Sequence, residues 1–240
     1  MGMSKEQQRS VIFDTLGPKL NATGYGPEHL KIMIADDQRP YVSEWADAIL
    51  SHEVEAAKWV AGIAFHWYLN PLVSPDMLDD VHARYPGYFL ISTEASEGLR
   101  LFRKNPVELG SWVRAETYAF DIIQVSPKDL SSSLIAFNLL CKDLQHSTSG
   151  WIDWNLALDL SGGPTWSSNN VDSPVIVNAP SGEYYKQPMF YALAHFTRFL
   201  PPGSTRLATV QSGDSLETVI FATPTNATVA VVLDRFESSI

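Results

Sequence analysis

Cysteine is almost missing from this chain of 240 residues: Cys141 stands alone, which excludes an internal disulfide and a cysteine-rich metal site. Basic clusters are missing too. The formal charge is -10, with 17 Lys and Arg against 27 Asp and Glu. Phosphate binding needs grouped cations, so a nucleic-acid partner is excluded. No apolar run approaches the roughly 18 residues of a membrane-spanning helix. The opening residues MGMSKEQQRS are polar and lack the apolar centre of a signal peptide. Two expectations follow from that: a cytosolic protein, or a chain whose own N-terminus lies elsewhere. The glycine-rich first turn of a dinucleotide-binding sheet is also absent.

Hydrophobic residues make up 45% and charged residues 18%, the balance of a globular protein rather than a disordered one. Val11, Ile12, Leu16 and Leu20 recur at helical spacing behind Ser4, which predicts a capped helix over 4–20. Apolar stretches ending in polar residues predict strands at 29–40, 60–69, 87–96 and 151–158. Helical periodicity predicts helices at 44–60, 76–85, 110–124 and 184–200. Strands alternating with helices indicate βα units on a parallel sheet, and polar strand ends suit a (β/α)8 barrel, of which four strands make half. Beyond Gly203 the segments TRLATVQS, LETVIFATP and ATVAVVLDRF alternate without helices, the pattern of an antiparallel module. The expected organisation is a partial barrel over 1–203 and a partial all-β domain over 204–240.

The strand ends present Asp36, Asp37, Gln38 and Arg39; His66, Trp67 and Tyr68; Glu94; and Asp153, Trp154 and Asn155. Aromatic rings stack on pyranose faces while amides and imidazoles bond the hydroxyls, so carboxylates among them describe a sugar site. Glycoside hydrolysis needs two carboxyl groups, roughly 5–5.5 Å apart in a retaining enzyme. Taken singly, each residue has a plainer reading: Glu94 as a solvated rim residue, His66 as a hydrogen-bonded core histidine, Trp67 and Tyr68 as packing. No His or carboxylate at ligand spacing turns Asp36 and Asp37 into a metal site. Two Asn-x-Thr triplets, at Asn21 and Asn226, read as candidate glycosylation acceptors.

The stretches DDQR, HWYL, STEAS, LGSW, GWIDWNLAL, GGPTW, VDSPVIV and YKQPMFYALAHF resemble the glucosylceramidases of glycoside hydrolase family 30, in order and at nearly the same spacing. The resemblance implies the C-terminal half of a (β/α)8 barrel followed by strands of an incomplete β-domain. It implies that Glu94 is the nucleophile of a retaining β-glucosidase. It places Gln38, His66, Tyr68, Trp154 and Asn169 around the glucose and aglycone, and gives Asn21 as a glycosylation site. It also implies a lysosomal protein acting on glucosylceramide, assisted by a saposin-type activator and an anionic lipid surface, without metal or cofactor. Three departures stand out. The family's acid/base glutamate sits in an Asn-Glu-Pro motif that this chain lacks. Residues 125–142, with Cys141, have no counterpart in the family. Leu99 replaces a polar residue beside the nucleophile loop. The competing expectation is a catalytically inactive half-barrel that binds sugar or lipid, or regulates a longer paralogue.

Overall fold

A computed structural model describes residues 2–99, 105–123, 146–207 and 216–234. The segment 125–142 therefore lies outside the described residues. The described residues of Met1–Glu94 and Ser131–Ile152 form one compact unit, and those of Ala95–Leu130 and Asp153–Ile240 form another.

The first unit is built on four parallel strands in the order β1 (Ile32–Gln38), β2 (Val60–His66), β3 (Phe89–Glu94) and β4 (Thr148–Trp151). Helices α3 (Val42–Leu50) and α4 (Glu53–Trp59) join β1 to β2, and α5 (Asp76–Arg84) joins β2 to β3. This is the expected βα alternation, with one change. The single helix expected over 44–60 breaks at Ser51 and His52 into α3 and α4. Strand and helix meet in a core of Ile34, Ile49, Leu50, Ile63, Phe65, Leu78, Val81 and Leu90, each at most 1% exposed. Gly62 has no Cβ because the Phe89 ring from β3 lies where one would stand.

The N-terminal segment caps as the sequence predicts. Ser4 accepts from the Gln7 N–H while the Gln7 side chain accepts from the Ser4 N–H, a reciprocal capping box. Helix α1 (Lys5–Ser10) passes through a π segment (Val11–Leu16) into α2 (Gly17–Ala22). Pro18 lacks the N–H that would continue the i→i−4 ladder, and the Gly17 N–H bonds Ile12 O instead, so the wider turn falls where proline interrupts the pattern.

The fourth strand differs from the sequence expectation of 151–158. Pairing stops at Trp151, opposite Ser92, with one more bond from the Ile152 N–H to Ser92 O at 2.9 Å. The Asp153 carboxylate then accepts from the Asn155 N–H at 3.5 Å, a local turn that ends extension.

The second unit holds α6 (Trp112–Ile123), α7 (Pro188–Thr197) and two small sheets. The expected long helix over 184–200 is corrected here. Residues Glu183–Lys186 form β7, antiparallel to β6 (Val175–Asn178), which pairs in parallel with β5 (Leu158–Asp159). Pro188 forces the preceding Gln187 into an extended conformation (φ −78°, ψ 165°), so the helix starts only at the proline. Past Gly203, β8 (Thr205–Leu207), β9 (Leu216–Ala222) and β10 (Thr228–Asp234) form the expected antiparallel sheet. A buried pair fastens this unit: the Arg114 guanidinium bonds the Asp172 carboxylate, both at most 1% exposed. Arg114 also donates to Pro106 O at 2.7 Å and Asn105 O at 2.9 Å.

Candidate active site at the ends of the parallel strands

Gln38, His66 and Glu94 are the last residues of β1, β2 and β3, so three of the expected site residues stand at one end of the sheet. That end is the carboxyl end, where barrel enzymes do their chemistry. Two irregularities aim the side chains. In β1, Ala35 pairs with Ala64 and Asp37 with Phe65, leaving Asp36 as an extra residue. Ala35 (φ 70°) and Asp36 (φ 56°) both occupy the left-handed region, a costly arrangement that turns the Asp36 carboxylate towards β2 and β3. In β3, Ser92 pairs with Phe65 and Glu94 with His66, so Thr93 is the extra residue.

The result is a charged chain of contacts. Asp36 Oδ1 accepts from the Thr93 hydroxyl at 2.7 Å and from His66 Nε2 at 3.2 Å. The other imidazole nitrogen, Nδ1, lies 3.7 Å from Glu94 Oε2. Tyr68 supplies a hydrogen bond to the Glu94 carboxylate, and the Trp67 N–H donates to Glu94 O at 3.2 Å. The Gln38 side-chain oxygen accepts from the Leu69 N–H at 3.0 Å, which fixes the loop carrying Tyr68. Trp67 is 7% exposed and meets the Tyr68 and Trp151 rings edge-on, at 6.2 and 6.4 Å between centroids.

Proton affinities follow from this placement. Burial pushes the Glu94 carboxyl above its ordinary range, against the His66 charge and the Tyr68 hydrogen bond, with Asp36 adding to the rise. For His66, burial disfavours the imidazolium. The hydrogen bond to Asp36 and the charges of Glu94, Asp36 and Asp37 outweigh it, so the proton is held more tightly than usual. The His66 hydrogen bond, seconded by Thr93, keeps Asp36 ionised to lower pH than usual despite partial burial. Asp36 is therefore a poor proton donor, and Glu94 is a half-buried carboxyl group beside an imidazole that holds its proton more tightly than usual.

The other expected residues belong to the second unit. Trp154, with Asn155, Leu158, Trp166, Asn169 and Val171, lines a cleft of about 530 Å³. Gly162 (φ 82°) shapes its floor, since a Cβ there would strike Val171 O. Beside Trp154, Asp153 is partly buried and accepts from the Tyr118 hydroxyl at 3.4 Å. Burial drives its pKa up to about 7 against the bonds from Asn155, Tyr118 and Trp154, with Asp172 adding to the rise. Asn21 is exposed at the end of α2.

The resemblance did not supply the anchoring parts of the site, Thr93 and the bulge that presents Asp36. A hydroxyl residue directly before Glu94 was the available signal. For metal, Asp76, Asp79 and His146 bring ligand atoms within 4.8 Å of one another. His146 Nδ1 and the Ser147 hydroxyl already bond Asp79 there, at 2.6 and 2.8 Å.

Comparison with known proteins bears on the family and the fold. Residues 1–200 match the glycosyl hydrolase family 30 TIM-barrel domain. This chain belongs to glycosyl hydrolase family 30. The family 30 chain is 41% identical over 237 residues to the mouse lysosomal acid glucosylceramidase, covering 98% of itself and 42% of that protein. It is 44% identical over 215 residues to putative glucosylceramidase 3 of Caenorhabditis elegans, covering 89% of itself and 37% of the relative. It therefore spans about two fifths of these relatives. Among solved structures, SrfJ from Salmonella typhimurium aligns with a TM-score of 0.78 at 24% identity, over 97% of this chain and 46% of SrfJ. An endo-β1,6-glucanase aligns at 0.73 and 22%, over 98% and 47%. These two likenesses concern the fold, which is a partial (β/α)8 barrel with a separate antiparallel sheet.

Proposed function

We propose that this chain carries the nucleophile part of a retaining β-glucosidase that hydrolyses glucosylceramide to glucose and ceramide. The observation that carries the reading is Glu94, half-buried at a strand end, hydrogen-bonded by Tyr68 and facing His66. In the first step the Glu94 carboxylate bonds to the anomeric carbon as the bond to the ceramide oxygen breaks. That oxygen takes a proton from a carboxylic acid other than Asp36, which is held ionised and is unsuited to donate. Water then attacks the anomeric carbon and hands a proton back to the group that protonated the ceramide oxygen. The bond to Glu94 breaks, glucose leaves, and Glu94 returns as carboxylate. His66, flanked by two carboxylates, supports the ionised form of Glu94 while lining the pocket. Gln38 and Tyr68 line the glucose pocket with it. Trp154 and Asn169, which line the cleft of the second unit, contribute aromatic and amide contacts to sugar or aglycone, in keeping with the family resemblance.

The domain reading goes with this: residues 1–203 belong to the barrel, and 204–240 to the β-domain. A lysosomal setting, an anionic lipid surface and a saposin-type activator are the expected context, with Asn21 glycosylated. The Asp153 carboxyl, protonated at lysosomal acidity, suits that compartment. The alternative, an inactive sugar or lipid binder or a regulator of a longer paralogue, is favoured by the want of the family's Asn-Glu-Pro motif in this sequence. An activated β-glucoside separates the two. A leaving group that needs no protonation is released by the enzyme with an essential Glu94, whereas a pure binder releases none.

A further inference from the structure

The turn between β9 and β10 carries the second Asn-x-Thr triplet, Asn226-Ala227-Thr228, which the glycosidase reading leaves unused. Three bonds build the turn. The Thr223 N–H donates to Ala227 O at 2.8 Å, the Asn226 N–H to Thr223 O at 2.9 Å, and the Ala227 N–H to Thr223 Oγ1 at 3.1 Å. Asn226 sits in the left-handed region (φ 61°), where asparagine is one of the few non-glycine residues tolerated. That accounts for Asn226. It does not account for Thr228, an exposed residue opposite Ala222 where other strand formers would serve. None of the bonds that build the turn uses the Asn226 side-chain amide, and residues 224–228 are all exposed.

The Asn21 triplet is different. Asn21 lies in α2, and the Thr23 hydroxyl donates to Lys19 O and Leu20 O at 3.0 Å each. Thr23 is the C-cap of that helix (φ −99°, ψ 8°), so its hydroxyl is already engaged in closing the helix end. The 226–228 triplet lies outside any helix, at the outer tip of a hairpin.

We propose that Asn226 is an acceptor for N-linked oligosaccharide. The side-chain amide nitrogen bonds to the anomeric carbon of an oligosaccharide carried on a lipid pyrophosphate. The sugar–pyrophosphate bond breaks, the lipid pyrophosphate departs, and the amide gives up one proton to solvent. The Thr228 hydroxyl marks the triplet for the transferase. The inference rests on the lysosomal reading only for the route by which the chain meets that enzyme.

The test is translation of the full chain, behind a supplied cleavable signal sequence and with a control sequon appended, in the presence of microsomes. Glycopeptide mapping then reads each site. The expected result is an occupied Asn226, with loss of one glycan in both Asn226→Asp, which keeps the left-handed preference, and Thr228→Val. An unmodified Asn226 beside an occupied control sequon overturns the proposal. Glycopeptides from cells that make the protein naturally test the route separately. Occupied Asn226 in microsomes with bare Asn226 in those cells supports the acceptor and refutes the lysosomal routing.

Discussion

Asp153→Asn is expected to stabilise the protein at neutral pH and to do nothing at pH 4. Burial lifts the Asp153 carboxyl from an ordinary 3.8 to about 7. A folded-state pKa above the unfolded one means that the folded state binds the proton more tightly. The cost of ionising it in place is therefore zero below about pH 4, grows between pH 4 and 7, and is complete above 7. A lift of this size is worth about 4 kcal/mol. Asparagine carries no charge, and its side-chain oxygen can accept the same bonds from the Tyr118 hydroxyl and the Asn155 N–H. Urea denaturation of both proteins at pH 4, 5, 6 and 7.5 measures the difference. The expected gap opens with pH and reaches up to about 4 kcal/mol in favour of the variant. A gap that does not change with pH would refute the buried-carboxyl argument.

Three further outcomes follow from named contacts. Asp36→Asn keeps an acceptor for His66 but removes the charge that helps overcome burial there, so an NMR titration should show the His66 pKa falling; an unchanged value contradicts the assigned contact. Tyr68→Phe removes the bond that favours ionised Glu94, so labelling of Glu94 by an activated glucoside near pH 5 should slow on the order of tenfold, with less loss at pH 7. Arg114→Ala removes the cation paired with the buried Asp172 carboxylate, which keeps only neutral donors from Ser173, Glu108 and Gln187. Chemical denaturation should show a loss of roughly 3–5 kcal/mol, and a loss under 1 kcal/mol would mean that Asp172 finds another partner.

Parallel strands were readable because period and polarity changed together: apolar IMIA and AGIAF run directly into the carboxylate, amide and imidazole that end β1 and β2. The shift of the fourth strand was not readable, because WIDWNLAL alternates like a strand although Asp153 folds back onto the Asn155 N–H. Tyr184 and Tyr185 fit either a helix or a strand, and only their pairing with Val177 and Ile176 decides between them. At the site, Gln38, His66 and Glu94 could be named from the motifs. The grouping of Asp36, His66 and Glu94 could not, because it depends on two extra residues in the strand registers, Asp36 and Thr93, which no residue pattern announces.

The most direct test of the central claim uses a 2-deoxy-2-fluoro-β-glucoside with a dinitrophenyl leaving group. Such a leaving group departs without protonation, and the fluorine slows release of the trapped sugar. Peptide mapping after incubation should find one 2-fluoroglucosyl ester, on Glu94, and none in Glu94→Gln. A label on another carboxylate, or equal labelling of Glu94→Gln, would contradict the account.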